Sequence, residues 1–102
     1  MNLYQILFTE DAKKDIEQLS DVIKYQYKSP LTAFEYVQGL VDEIEKLSVS
    51  AESYIIQTRK SFIKYGYNVR RVNYKKMSIL YTVSNKTVYI HRVIPASNIA
   101  DI

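Results

Sequence analysis

From Tyr67 to Ile94 the chain reads YNVRRVNYKKMSILYTVSNKTVYIHRVI, three short apolar runs separated by two polar dipeptides. Val72, Ile79, Leu80, Val83, Val88, Ile90 and Val93 are mostly β-branched and fall at strand-like spacing, so the runs predict three strands. Lys75-Lys76 and Asn85-Lys86 stand where tight hairpin turns belong, and Asn tolerates the positive φ such turns use. Six cations, Arg70, Arg71, Lys75, Lys76, Lys86 and Arg92, lie on this meander without one carboxylate. The pattern predicts a sheet with one buried face and one basic face turned to an anionic partner.

Everything before the meander reads differently. Leu3 to Phe8 is a short apolar strand, predicted to be buried on both faces. Thr9 is a good helix N-cap, and Glu10 and Asp11 suit the positive end of a helix dipole. Ala12, Ile16, Leu19, Ile23 and Tyr27 then recur at spacings of three and four, which predicts an amphipathic helix to about Lys28. Ser29-Pro30 ends it and caps the next, which carries Ala33, Phe34, Val37, Leu40, Val41, Ile44 and Leu47. A link this short makes the two helices an antiparallel hairpin. Gly39 interrupts the second helix, and close approach of the first is the expected reason. Residues 48–66 read as a long connection in which Tyr54-Ile55-Ile56 and Ser61-Phe62-Ile63 are short strand pieces. Pro95 to Ile102 carries no strong pattern. The order β-α-α-β-β-β predicts an α+β domain spanning residues 1–102, with the helix hairpin packed on a small antiparallel sheet.

Charge is divided along the chain. The net charge is +3, yet residues 10–52 hold ten of the eleven acids, so the cationic excess begins at Arg59. The absence of cysteine removes disulfides, thiolate chemistry and cysteine-ligated zinc. No apolar run approaches the length of a membrane span, and no secretory signal is read at the start; the expected location is the cytoplasm, with no membrane partner.

Three groups are candidates for chemistry. His91 is the single histidine, and its ordinary pKa of about 6.5 suits proton transfer. Neighbouring strand residues point to opposite faces, so His91 and Arg92 reach one ligand only across a bulge. Arg70 and Arg71 also oppose one another, so one turns inward and the other is free to bind. Five of the ten tyrosines, Tyr65, Tyr67, Tyr74, Tyr81 and Tyr89, cluster with the cations, where stacking on bases is one use and strand packing the plainer one. Tyr4, Tyr25, Tyr27 and Tyr36 are expected in the core or at the helix interface. One histidine with no carboxylate cluster on the meander predicts neither a metal site nor a cofactor.

Along its whole length the sequence resembles the RelE/ParE superfamily of toxins from type II toxin–antitoxin modules. The residues that carry the resemblance are Phe8-Thr9, Ala12, Asp15-Ile16, Ala33-Phe34, the Ile44/Leu47 stripe, Arg70-Arg71-Val72, Ile79-Leu80-Tyr81-Thr82-Val83 and Val88-Tyr89-Ile90-His91-Arg92-Val93. The resemblance implies a growth-inhibiting, plasmid-stabilising type of toxin held in a hetero-oligomer by a cognate antitoxin. It also implies two targets. ParE-like members poison DNA gyrase, and RelE-like members cut mRNA on the ribosome, using meander cations for charge stabilisation and proton transfer. Nuclease members often carry Arg where this chain has Ser78, and a basic residue or His where it has Pro95-Ala96-Ser97. The ParE-like branch is therefore favoured. Arg70, Arg71, Lys75, Lys76 and Arg92 are the expected target or nucleic-acid contacts. Arg71, His91 and Arg92 are the catalytic candidates of an endoribonuclease. A relative that only binds antitoxin is the third alternative.

Overall fold

Thr9 sets the first boundary by serving two elements at once. Its side chain accepts the Ala12 backbone N–H at 3.2 Å and donates its own hydroxyl proton to the Ile90 carbonyl at 2.9 Å. The cap that starts the first helix thus ties it to the last strand. In the computed structural model, which describes residues 3–101, that helix is α1 (Glu10–Tyr27), preceded by strand β1 (Gln5–Phe8) and followed by α2 (Pro30–Glu45). Lys28 closes α1 in the left-handed conformation, and Ser29 caps α2 by accepting the Thr32 N–H, with Pro30 in the first turn. The local signals at both helix starts are therefore the ones the chain uses.

The meander forms β2 (Arg70–Tyr74), β3 (Met77–Ser84) and β4 (Thr87–Pro95), joined at the two predicted turns. Lys75, Asn85 and Lys86 all have positive φ there. The sheet order is β1-β4-β3-β2. The α+β architecture with a helix hairpin on the sheet is as expected, but the sheet is mixed. Only the meander is antiparallel, whereas β1 pairs parallel with β4, from Gln5 opposite Thr87 to Phe8 opposite Ile90. A helical crossover is what makes such a parallel pairing reachable.

Three other expectations are corrected. β1 is an edge strand, so only one side is covered: Tyr4, Ile6 and Phe8 pack on the core while Gln5 and Leu7 are exposed. Residues 48–66 are largely helical turns rather than strand pieces, with α3 (Leu47–Ser50), a 3₁₀ turn over Ala51–Ser53 and a 3₁₀ helix over Lys60–Tyr65. Only Ile56 makes an isolated bridge, opposite Arg70. Each of these segments is held by one buried anchor, Leu47, Ala51 or Phe62, and Ile55 and Ile63 stay exposed. The tail folds into a 3₁₀ helix, Ala96–Asp101, with Ile99 buried.

Two cores result. The larger one lies between helices and sheet and contains Ala12, Leu40, Ile44, Ile79, Tyr81, Val88, Ile90 and Val93. The buried Tyr81 hydroxyl donates to the Ala51 carbonyl at 2.6 Å, which anchors the post-α3 turn. The smaller core gathers Phe62, Val69, Leu80, Ile94 and Ile99. Leu80 alternates with Ile79 and Tyr81, so this cluster lies on the far face of the sheet. The face expected to be open and basic is thus partly roofed. Gly39 is approached by β2, not by α1: a Cβ there would overlap the Tyr74 hydroxyl. Of the four tyrosines expected inside, Tyr4 and Tyr36 pack against the core, but Tyr25 and Tyr27 are exposed.

Candidate functional site

The geometry around the candidate residues begins with a bulge in β4. Leu80 pairs with Arg92 but Tyr81 pairs with Ile90, so His91 is the extra residue. One inserted residue resets the alternation, which is why Ile90 and Val93, three apart, both enter the larger core. His91 and Arg92 are the two residues left between them. The bulge that these neighbours would need to share a ligand exists, yet each is already engaged.

His91 is half-buried. Its Nε2 lies 2.7 Å from the Thr82 hydroxyl, and its ring stacks on Tyr65 at 5.6 Å between centroids. Burial pushes its pKa below the ordinary value, because an imidazolium there would lose hydration without gaining a carboxylate. The folded protein therefore resists a proton that the unfolded chain takes up near pH ~6.5. The stability this contributes is whole above that pH and is lost as pH falls through the window below it. We expect urea midpoints to drop from pH 7.5 to 5.0 more steeply for the wild type than for His91→Gln. Equal slopes would show that the ring is not held neutral by the fold.

Arg92 turns to α1. Its Nε and Nη2 donate to the two carboxylate oxygens of Asp15 at 2.6 and 3.1 Å, and Asp15 also accepts the Val93 backbone N–H at 2.9 Å. The Asp15 hydrogen bond raises the Arg92 pKa above its ordinary value, so the guanidinium stays charged and paired. Arg70 also points inward, donating to the Glu52 and Tyr54 carbonyls at 3.0 and 2.6 Å. Lys75 lies over the rings of Tyr36 and Tyr74, and Lys86 over Tyr4. Lys76 is exposed in the turn.

Arg71 differs from these. Its Nε donates to Asn73 Oδ1 at 3.1 Å, and Ser78 donates to the same oxygen at 2.8 Å. Ser78 is fully buried, so its position is closed and hydrogen-bonded. Arg71 and Asn73 line an open cleft of about 410 Å³ with Ser53, Tyr54, Ile55 and Gln57. The candidates are thus mostly engaged within the fold: Arg70 serves a loop, Arg92 serves α1, Lys75 lies over aromatic rings, and His91 sits beneath Tyr65, which Arg92 also reaches. Among the described residues no three His, Cys, Asp or Glu side chains gather as metal ligands would.

The partners Asp15, Thr82 and Tyr65 were not singled out as holding the candidate residues. For Thr82 a signal exists, since counting back from the Asn85-Lys86 turn places it opposite Tyr89, next to His91. No comparable count finds Asp15, 77 residues from Arg92.

The family described as the ParE toxin of the type II toxin–antitoxin system, parDE, matches residues 6–100. Among solved structures, a chain of the chromosomal ParDE toxin–antitoxin system from P. aeruginosa superposes with a TM-score of 0.76 at 18% identity, covering 93% of this chain and 98% of that one. A chain of the RelBE2 toxin–antitoxin complex from Mycobacterium tuberculosis gives 0.61 at 20% identity, covering 93% of each. These two share the fold. No curated protein matches the sequence. No helix among the described residues is long and apolar enough to cross a membrane.

Proposed function

The chain belongs to the ParE toxin family of type II toxin–antitoxin systems, within the RelE/ParE superfamily, and we propose that it arrests growth by poisoning DNA gyrase and is held inactive by a cognate antitoxin. One observation carries the choice of target: most of the meander candidates are already engaged within the fold. Cleaving RNA requires a base at the 2′-hydroxyl, a cation at the phosphorane and an acid at the leaving oxygen, all around one phosphate. Here Arg92 is neutralised by Asp15, Arg70 is bound to two carbonyls, and His91 is hydrogen-bonded and shielded. Arg71 is left as a cation placed to meet a target, lining an open cleft with Asn73 as its side-chain partner. A protein that binds its target, rather than one that cuts it, fits this arrangement.

The test uses purified protein with gyrase, ATP and relaxed plasmid, alongside a translating extract with a reporter mRNA. Loss of supercoiling and trapped, cleaved plasmid are expected, with the mRNA left intact. Unimpaired gyrase together with mRNA cut on the ribosome would replace this reading with the nuclease one.

A further inference from the structure

Charge in this molecule is sorted by layer. α1 and α2 carry nine carboxylates against three lysines, whereas residues 53–100 hold nine lysines and arginines and no carboxylate. The sheet stands between the two sets. Its far face is partly covered by the 3₁₀ helix Lys60–Tyr65 and by the tail, which Phe62 and Ile99 pin against Val69, Leu80 and Ile94.

Three cations belong to that far layer and remain open to a ligand. At three residues per turn, Phe62 and Tyr65 fall on one side of the 3₁₀ helix, and both pack on the far-face core. Lys60 and Lys64 are left exposed, Lys64 with its ammonium 5.3 Å from the Tyr65 ring. Arg71 joins them from β2. It pairs directly with Leu80, so its side chain stands on the face to which Leu80 belongs. Among the described residues none of these three cations forms an ion pair. Long side chains bearing point charges, on a layer without carboxylates, suit a ligand whose own charge repeats along its length. A nucleic-acid duplex is such a ligand, with one phosphate charge per about 1.7 Å of axis. The acidic helices are repelled by the same field, so the molecule meets a duplex with the sheet's far face and turns α1 and α2 away.

We infer that this far face rests on the DNA duplex held by the target enzyme, with Lys60, Lys64 and Arg71 on its phosphates. The inference rests on the gyrase reading above and adds that the poison touches the nucleic acid as well as the enzyme. Phosphate contacts position a protein without reading sequence, so the contribution of this face is the same on any duplex.

The experiment measures binding of the purified chain to a short DNA duplex across salt concentrations. Alongside it run trapping of cleaved plasmid by gyrase and capture of the chain by gyrase without DNA. Lys60→Glu/Lys64→Glu, verified as folded by its melting curve, is expected to weaken duplex binding roughly tenfold and to lower its salt slope by about two. Trapping of cleaved plasmid should fall with it, while capture by gyrase alone stays at the wild-type level. Lys13→Glu/Lys14→Glu makes the same change in net charge at exposed positions of α1 and is expected to behave as the wild type does. Wild-type duplex affinity in folded Lys60→Glu/Lys64→Glu would overturn the inference, as would equal weakening by Lys13→Glu/Lys14→Glu. Loss of capture by gyrase alone would assign these lysines to the enzyme and not to its DNA, and would overturn it too. So would single-stranded RNA of the same length that binds more tightly than the duplex. A wild type that binds duplex through Lys60 and Lys64 yet traps no cleaved plasmid would support the face and remove the gyrase reading alone.

Discussion

Asp15→Ala is expected to destabilise the protein by about 3 kcal/mol and to lower the melting temperature by roughly 10–20 °C. The carboxylate is 11% exposed, Arg92 is 33% exposed, and the contact is bidentate. Removing Asp15 strands a guanidinium and also the Val93 backbone N–H, just where the β4 ladder has left β1 behind. A buried partner left unsatisfied costs more than the net worth of the pair. Arg92→Ala should therefore cost less than Asp15→Ala, because the carboxylate keeps its backbone donor. Thermal melts of both variants and the double mutant measure this. A loss under about 4 °C for Asp15→Ala would place the pair among screened surface ion pairs. The same ordering bears on any toxicity assay, since an inactive Arg92 variant must first be shown to be folded.

Phe62→Ala is expected to cost about 3–4 kcal/mol. Phe62 is the largest side chain of the far-face core and is 1% exposed. Val69, Leu80, Ile94 and Ile99 close around it, and Arg59 lies over its ring at 5.9 Å. No other side chain in the 3₁₀ helix Lys60–Tyr65 is fully buried, and Tyr65 packs only partly buried on the same core, so truncation loosens the segment. Tyr65, which shields His91, is in that segment. The pKa of His91 should consequently climb back toward its ordinary value, and a proton NMR titration of the single imidazole reads this directly. Lost stability with an unmoved His91 titration would show that β3 and β4 alone, not the 3₁₀ helix, keep the ring neutral.

What could be read in the sequence was what is decided locally. Thr9, Ser29-Pro30 and the two turn dipeptides fix element boundaries through their own side chains and backbone preferences, and those boundaries were found. The ladder that brings β1 beside β4 was not legible, because it joins the first strand to the last and leaves no mark in either. The segment 48–66 failed for a related reason: Ala51 and Phe62 are single anchors, and one anchor has no period. At the candidate site the residue types were legible and their engagements were not. Arg70, Arg92 and Lys75 announce charge, but Glu52, Asp15 and Tyr36, which help to occupy them, come from other elements. The bulge that resets the alternation at His91 depends on a count across two strands, so it too is a property of the fold.

The parallel pairing of β1 with β4 has a consequence in time. Its partners lie roughly eighty residues apart, so the β1 edge stays open until β4 has been made. At about 5–20 residues per second, this delays closure of the sheet by some 4–16 s after β1 emerges. Val93, whose N–H Asp15 receives, is made later still. The sheet therefore stays unfinished through the making of both helices and of β2 and β3, and closes only once β4 is available.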